Sequence, residues 1–197
     1  VDGLVAMAGL KGFERQLTRN LSGAWRQRLA LACAIVHNPP MLFLDEPTAG
    51  VDPVSRREFW DLIYTLAGEG VSVLATTHYM DEADYCNTIG MMYQGRLIAL
   101  AGPEAIKDSL PGVLVQLDCD RPGEAAEALQ GLPGVSGVSV HGAQVHVTLK
   151  NAGEARRVEK ALARLGFAVR SAEIVQPSLE DAFISIVARQ RLEDNQG

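Results

Sequence analysis

The stretch Met41-Leu42-Phe43-Leu44-Asp45-Glu46-Pro47 decides how this chain folds. Its first four residues form a continuous apolar run, which predicts a short strand buried on both faces of a parallel sheet. Two carboxylates, Asp45 and Glu46, follow directly, and Pro47 begins a turn. In open α/β sheets ligands bind at the carboxyl ends of the strands, so the acidic pair marks a candidate ligand site.

The segments around this strand alternate between helical and extended patterns. Apolar spacing predicts helices over residues 26–36 and 53–67, and a second apolar run predicts a strand over residues 71–76. Asp52 precedes the second helix at the position of an N-cap. The alternation indicates an α/β sheet whose parallel strands are joined by right-handed crossovers. A hairpin over residues 88–101 and a short helix over residues 104–108 are predicted to follow.

The pattern changes after Pro111-Gly112. Strands and helices are then predicted in the order β-α-β-β-α-β, which is the ferredoxin-like split arrangement, and one terminal helix over residues 179–188 follows, capped by Ser178. The sequence therefore predicts an α/β domain over residues 1–110, a small ferredoxin-like α+β domain over residues 111–191, and a tail over residues 192–197.

Composition excludes several classes of function. The net charge is −6 and no basic stripe is present, so the sequence gives no indication of nucleic-acid binding. The longest apolar run, residues 29–36, is far shorter than the roughly 20 residues that span a bilayer. Three widely spaced cysteines indicate neither a disulfide framework nor a zinc site. His141 and His146 lie five apart in a strand-like region, where residues at odd spacing face opposite ways, so no shared metal is expected.

The acidic pair and one histidine form a candidate catalytic group. One carboxylate would bind Mg²⁺ mainly through water, and the other would orient and partly deprotonate an attacking water. His78 follows the strand over residues 71–76, one β-α-β unit after Glu46, so it is expected beside the acidic pair and within reach of a phosphate. A solvated turn for the carboxylates and a structural histidine are the competing interpretations.

Ser22-Gly23 begins the helix over residues 26–36. The free N–H groups and partial positive charge of a helix N-terminus make it a candidate anion site. A simple N-cap explains the same residues, and taken alone it is the preferred interpretation.

Together these segments resemble the nucleotide-binding domain of ABC transporters over residues of about 10 to 107. Leu21-Ser22-Gly23-Ala24-Trp25 is similar to the family's signature motif, and residues 41–48 are similar to its Walker B strand with the catalytic glutamate. Residues 49–52 resemble the D-loop, and Thr77-His78 the switch histidine. Near the end of the chain, residues 177–183 resemble the tail of the ATPase subunits of drug and antibiotic exporters.

The resemblance implies that two such domains sandwich two ATP molecules head to tail. It assigns the Mg²⁺ shell to Asp45, water activation to Glu46 and contact with the γ-phosphate to His78. The signature residues would contact the ATP of the opposite subunit, and the D-loop aspartate would line the dimer seam. The nucleotide-binding residues that the resemblance implies are therefore Ser22, Gly23, Ala24, Trp25 and Asp52.

Two features depart from the family pattern. Ala24 and Trp25 stand where the signature has a second glycine and a glutamine. No Gly-Lys dipeptide occurs, so the sequence contains no G-x-x-x-x-G-K-[ST] phosphate loop. The resemblance places that loop and the glutamine-bearing loop before Val1, and the chain is therefore expected to be a fragment that is catalytically silent alone.

The predicted function is the ATP-binding and ATP-hydrolysing subunit of an ABC-type exporter. Its expected partners are a second nucleotide-binding domain and a transmembrane permease, and no nucleic-acid partner is expected. Its expected location is the cytoplasmic face of the cell membrane, where the permease would hold it. A degenerate module that dimerises and regulates without hydrolysing ATP is the alternative, motivated by Ala24 and Trp25. An ABC protein acting on ribosomes or DNA is disfavoured by the missing basic patches and the exporter-like tail.

Overall fold

The computed structural model describes residues 2–194, which divide into two compact units between Tyr85 and Cys86. The domain boundary after residue 110 stays a prediction. Among the described residues no helix is both long and apolar enough to cross a membrane.

Among residues 2–85 the N-terminal unit contains two parallel strands and four α-helices. Strands β1 (Met41–Asp45) and β2 (Ser72–Thr76) pair in parallel, with Leu42 opposite Val73 and Asp45 opposite Thr76. Parallel pairing of these two segments confirms the predicted α/β arrangement. The helices are α1 (Asp2–Met7), α2 (Gly23–Ala34), α3 (Pro53–Gly68) and α4 (Met80–Ala83).

Helix α3 begins as the sequence predicts. One oxygen of the Asp52 carboxylate, Oδ1, accepts hydrogen bonds from the backbone N–H groups of Val54 at 3.1 Å and Ser55 at 3.0 Å. Pro53 occupies the first helical position, where its missing N–H needs no partner. The helix buries one apolar face: Phe59, Trp60, Ile63 and Leu66.

One face of the β1–β2 pair is uncovered, contrary to the prediction of a strand buried on both faces. Phe43 and Leu74 pair on this face and are 72% and 54% exposed, whereas Leu42 on the other face is buried. A continuous apolar run does not show which face of a strand is buried, and no element among residues 2–85 covers the face that carries Phe43.

The C-terminal unit begins with a hairpin and continues as a sheet covered by helices. Strand β3 (Ile89–Tyr93) pairs antiparallel with β4 (Arg96–Ala101). A four-stranded antiparallel sheet follows, in the order β6-β7-β5-β8. Its members are β5 (Val113–Cys119), β6 (Val135–His141), β7 (Gln144–Leu149) and β8 (Val169–Ile174), and the helices of the unit are α5 (Pro103–Asp108), α6 (Pro122–Leu129), α7 (Ala155–Arg164) and α8 (Leu179–Asp194).

One face of this sheet forms the main core of the unit with α6 and α7. Leu117 and Val147 from the strands are fully buried against Leu129 of α6 and Leu162 of α7. The opposite face meets the start of α8, where His146, which alternates with the core residues of β7, contacts Asp181. Helices α6 and α7 therefore cover one face of the sheet, and the first turn of α8 contacts the other.

Helix α8 begins with a reciprocal cap. The Asp181 backbone N–H donates to the Ser178 hydroxyl at 3.1 Å, and the Ser178 backbone N–H donates to Asp181 Oδ2 at 2.9 Å. Burial alone would raise the pKa of Asp181, but hydrogen bonds from Ser178 and His146 lower it below its usual value. The cap by Ser178 is confirmed. The helix runs to Asp194 and so extends into the predicted tail, whose residues 195–197 lie outside the described residues.

Gly112 is predicted to tolerate no side chain. Its φ is +95°, and an added Cβ would lie 2.1 Å from the carbonyl oxygen of Leu149. Gly131 has φ of +82° with nothing within 4 Å, so Gly131→Ala isolates the backbone cost, about 1–2 kcal/mol. Gly112→Ala should lower the free energy of unfolding by about 1–3 kcal/mol more than that, because the backbone must also move. Urea unfolding of both variants measures the difference, and equal losses would contradict it.

Candidate functional site

The carboxyl ends of β1 and β2 are joined by hydrogen bonds through Thr76. Its hydroxyl donates to Asp45 Oδ1 at 2.5 Å. The backbone N–H of Glu46 points to the backbone oxygen of Thr76 at 3.2 Å and to its hydroxyl at 3.1 Å. These contacts fix the position of the acidic pair relative to the end of the neighbouring strand.

Glu46 has a backbone conformation that brings its side chain toward β2. Its φ is +45°, in the left-handed region that non-glycine residues rarely adopt. Glu46 Oε2 lies 2.5 Å from His78 Nδ1, and both side chains are partly open to solvent. The structure thus places His78 beside the acidic pair, as the β-α-β spacing predicts. Strained backbone of this kind is common at functional sites.

The signature segment lies next to the D-loop segment. An added Cβ on Gly23 would be 3.8 Å from the carbonyl oxygen of Gly50. Ser22 caps α2 by accepting the Trp25 N–H at 3.5 Å. The carboxylate of Asp52 serves as the cap of α3, and the N–H of Ser55 lowers the pKa of that carboxyl. Both predicted caps are present, and the nucleotide contacts of these residues stay predictions.

Trp25 packs within its own unit. Its ring stacks on Phe13 with centroids 4.6 Å apart, and the Arg28 guanidinium lies 5.4 Å from the Trp25 ring centroid. The neighbouring Ala24 is half-buried in the first turn of α2. The tryptophan therefore contributes to packing near α2, whereas its contact with a nucleotide stays a prediction.

A buried carboxylate that the sequence analysis missed connects the loops of the site. Glu82 of α4 is completely buried. One oxygen, Oε1, accepts the hydroxyl hydrogen of Thr48, and the other, Oε2, accepts that of Thr77 at 2.7 Å. Thr48 follows the acidic pair by two residues, and Thr77 precedes His78. Glu82 therefore connects the loops that follow β1 and β2.

Arg56 of α3 provides the opposite charge. Its Nε lies 3.2 Å from Glu82 Oε1, and its guanidinium carbon lies 3.9 Å from the centroid of the Tyr79 ring. Its Nη1 reaches the exposed Asp81 at 3.4 Å. In the sequence Glu82 lies between Asp81 and Asp84, and such an acidic segment predicts a helix exposed to solvent. The only signal for its burial is that threonines follow both strand ends.

The arrangement suits activation of water next to a hard cation. The Asp45 carboxylate and the Thr76 hydroxyl supply oxygen atoms, the ligands that Mg²⁺ prefers. Glu46 supplies a second carboxylate that can accept a proton, and His78 can donate or accept one. Because Glu46 and His78 are partly exposed, water and a phosphate ligand have access to them.

Two family models match the sequence. The model described as "ABC transporter" matches residues 1–49. The model described as "ATP-binding protein DrrA1-3-like, C-terminal domain" matches residues 102–187. The two matches lie in the same order as the predicted domains.

Curated relatives match half of the chain or nearly all of it, and they are longer than this chain. The daunorubicin/doxorubicin resistance ATP-binding protein DrrA of Streptomyces peucetius is 34% identical over 94% of this chain and 57% of its own length. The probable multidrug ABC transporter ATP-binding protein YbhF of Escherichia coli is 52% identical over 50% of this chain and 17% of its own length. The chain thus spans less than two thirds of these relatives.

Solved structures are similar to about half of the chain. CbiO1 of Clostridium perfringens, part of an ABC transporter complex, aligns with a TM-score of 0.51 and 30% identity. The alignment covers 55% of this chain and 44% of that one. A nucleotide-free ATP-binding cassette from an ABC transporter aligns with a TM-score of 0.53 and 26% identity, over 55% and 44% of the two chains.

Glu82→Gln is predicted to destabilise the N-terminal unit strongly. Glutamine keeps the shape of the side chain but leaves Arg56 without its buried counter-charge, and breaking such a pair costs about 3 kcal/mol or more. Glu58→Gln is the matched control, because Glu58 pairs with Arg28 but is 57% exposed, and its loss should cost less than about 1 kcal/mol. Urea unfolding compares the two variants, and similar losses would show that Glu82 is not a structural centre.

Proposed function

This chain belongs to the DrrA-like ATP-binding proteins of ABC transporters, and on that basis we propose that the complete protein binds and hydrolyses ATP to drive an exporter. One observation supports the proposal above all others. Asp45, Glu46 and His78 come from the ends of two paired parallel strands, and the side chains of Glu46 and His78 touch. A carboxylate pair beside an imidazole at this edge is suited to hydrolysis of a phosphoanhydride.

In the proposed mechanism Glu46 orients the attacking water and accepts its proton as the water oxygen bonds to the γ-phosphorus. The bond from that phosphorus to the oxygen bridging the β- and γ-phosphates breaks, and ADP leaves. His78 holds the Glu46 carboxylate in place in the nucleotide-free state and donates a hydrogen bond to a γ-phosphate oxygen once ATP is bound. Asp45 would bind Mg²⁺ through water, and the cation would offset the negative charge of the phosphates. Thr76 keeps the Asp45 carboxylate oriented through its hydroxyl.

The proposed assembly contains two copies or two related domains around two ATP molecules. The N-terminus of α2 would offer backbone N–H groups to the ATP of the opposite subunit. The nearness of Gly23 to Gly50 supports a shared surface formed by the signature and D-loop segments, with Asp52 at the seam. The residues proposed to contact nucleotide across this surface are Ser22, Gly23, Ala24 and Trp25.

We propose that the complete assembly acts with a transmembrane permease at the cytoplasmic face of the cell membrane. The match of residues 1–49 to the family model described as ABC transporter supports a partner of this kind. The relatives named above are a daunorubicin/doxorubicin resistance protein and a probable multidrug transporter protein. A drug-like organic compound is therefore the proposed class of cargo.

We infer a ferredoxin-like fold for the C-terminal sheet and helices α6 and α7. The order β6-β7-β5-β8, with all pairs antiparallel and one helix in each crossover, supports this inference. The proposed domains are residues 1–110 and 111–191. The C-terminal family match to residues 102–187 supports a boundary close to residue 110.

A regulatory module that binds ATP without hydrolysing it is the second candidate. The stacking of Trp25 on Phe13 favours it, because a residue engaged in packing does not replace the polar side chain of the family signature. The two candidates differ in a single property, which is turnover by the complete protein.

Glu46→Gln in the complete protein is predicted to abolish Mg²⁺-dependent ATP turnover and to preserve ATP binding. Glutamine keeps the size of the side chain but cannot accept the proton of the attacking water. Steady-state phosphate release and equilibrium nucleotide binding measure the two properties. Turnover equal to the unmodified protein would remove Glu46 from the role of base. Absence of turnover in both proteins, with ATP bound, would favour the regulatory module.

His78→Ala is predicted to slow turnover at least about tenfold, which corresponds to about 1.4 kcal/mol in the barrier. The matched control is His37→Ala, because His37 is exposed and precedes the amino end of β1, whereas the site lies at its carboxyl end. Turnover number and ATP affinity should be measured together, since loss of a phosphate contact changes both. An unchanged turnover number in His78→Ala would make His78 a structural residue.

A further inference from the structure

Two histidines and a buried aspartate converge on the face of the C-terminal sheet that meets α8. Asp181 Oδ1 lies 2.9 Å from His146 Nδ1 and 3.3 Å from His141 Nε2. One ligand atom from each of the three residues can be chosen so that all lie within 4.8 Å of one another. The Asp181 side chain is almost completely buried, whereas the side chains of His141 and His146 are 22% and 13% exposed.

The hairpin between β6 and β7 explains why the prediction of opposite faces is wrong. Ser139 pairs with His146, and His141 pairs with Gln144, so the chain reverses at residues 142–143. His141 and His146 are therefore diagonal neighbours on one face of a two-stranded ribbon, not members of one strand. Their rings stack with centroids 4.3 Å apart.

Each of the three groups is oriented by a further contact, as in built metal sites. His146 Nε2 lies 3.3 Å from the amide oxygen of Gln116, which leaves Nδ1 facing Asp181. Asp181 Oδ2 accepts both the N–H and the hydroxyl hydrogen of Ser178, which leaves Oδ1 for the histidines. His141 Nε2 also lies 3.1 Å from the Ser139 hydroxyl, and its Nδ1 lies 3.7 Å from the exposed Glu180 carboxylate.

We propose that His141 Nε2, His146 Nδ1 and Asp181 Oδ1 bind a divalent transition metal ion of the zinc class. Zinc binds imidazole nitrogen and carboxylate oxygen at about 2.0–2.1 Å, so tetrahedral donors stand about 3.3–3.4 Å apart. The 2.9 and 3.3 Å separations around Asp181 Oδ1 are close to that spacing. Two imidazoles and one carboxylate favour zinc over magnesium or calcium, which prefer oxygen donors.

The proposed ion would fasten α8 to the β6–β7 hairpin. Two ligands come from the hairpin and the third from the first turn of α8, so binding would tie these elements across the sheet face. The fourth ligand would be water or the carboxylate of Glu180, which is 58% exposed. This role concerns the fold of the C-terminal unit and is independent of the proposed ATP chemistry.

The test is metal binding by the complete, nucleotide-free protein in buffer containing a phosphine reductant. Zn²⁺ is titrated against a chromophoric zinc indicator at pH 7.5, and one equivalent is expected to bind. His141→Gln and His146→Gln should each weaken binding at least about tenfold, and Gln116→Leu, which removes an orienting contact, about 10-fold to 100-fold. His37→Gln is the matched control and should leave binding unchanged, because His37 is exposed and belongs to the other unit.

Two further measurements keep the proposal falsifiable if a variant fails to fold. Co²⁺ added to the unmodified protein should give the visible bands of four-coordinate or five-coordinate cobalt without thiolate charge transfer. Zn²⁺ at about 100 times its Kd should raise the Tm of the unmodified protein and of His37→Gln by about 5 °C or more. Absence of binding, thiolate bands, loss of binding in Cys33→Ser, or full binding in His141→Gln/His146→Gln would each overturn the proposal.

Discussion

The buried Glu82 carboxylate is the constraint on which the N-terminal site depends. It receives hydrogen bonds from Thr48 and Thr77 and pairs with Arg56, so one side chain positions two strand-end loops and two helices. A carboxylate without water must satisfy its oxygens from the protein, and here the partners come from the loops that present Glu46 and His78. The loops that carry the exposed side chains of Glu46 and His78 are thus held in place by a buried carboxylate.

The order of elements and the placement of polar residues at the strand ends were predictable from sequence because both depend on local pattern. Apolar runs predicted the strands β1 and β2. Asp52 and Ser178 predicted the starts of the helices that they cap. The role of Glu82 could not be predicted, because its burial follows from tertiary contacts of an acidic segment that looks solvated. The exposure of Phe43 was not predicted for a related reason. An apolar run does not indicate whether another element covers each face of the strand.

The cluster of His141, His146 and Asp181 shows a different limit of sequence analysis. Within one strand, residues an odd number apart point to opposite faces of the sheet. Across the two-residue turn at residues 142–143 this no longer holds, and two histidines five residues apart share one face. Asp181 adds a contact between residues 35 apart in sequence, which no periodicity reveals. Recognising the pair as members of a hairpin would have placed the histidines on one face, but the third group becomes visible only when α8 is docked.

The left-handed backbone conformation of Glu46 lowers the stability of the fold at the residue that carries the proposed base. Glycine would adopt φ of +45° without strain, whereas a residue with a Cβ pays about 1–2 kcal/mol there. A glycine at position 46 would relieve the backbone and remove the carboxylate together. Laboratory selection for thermostability alone would therefore favour a protein that folds better and lacks the proposed base, a conflict typical of sites where activity requires a strained residue.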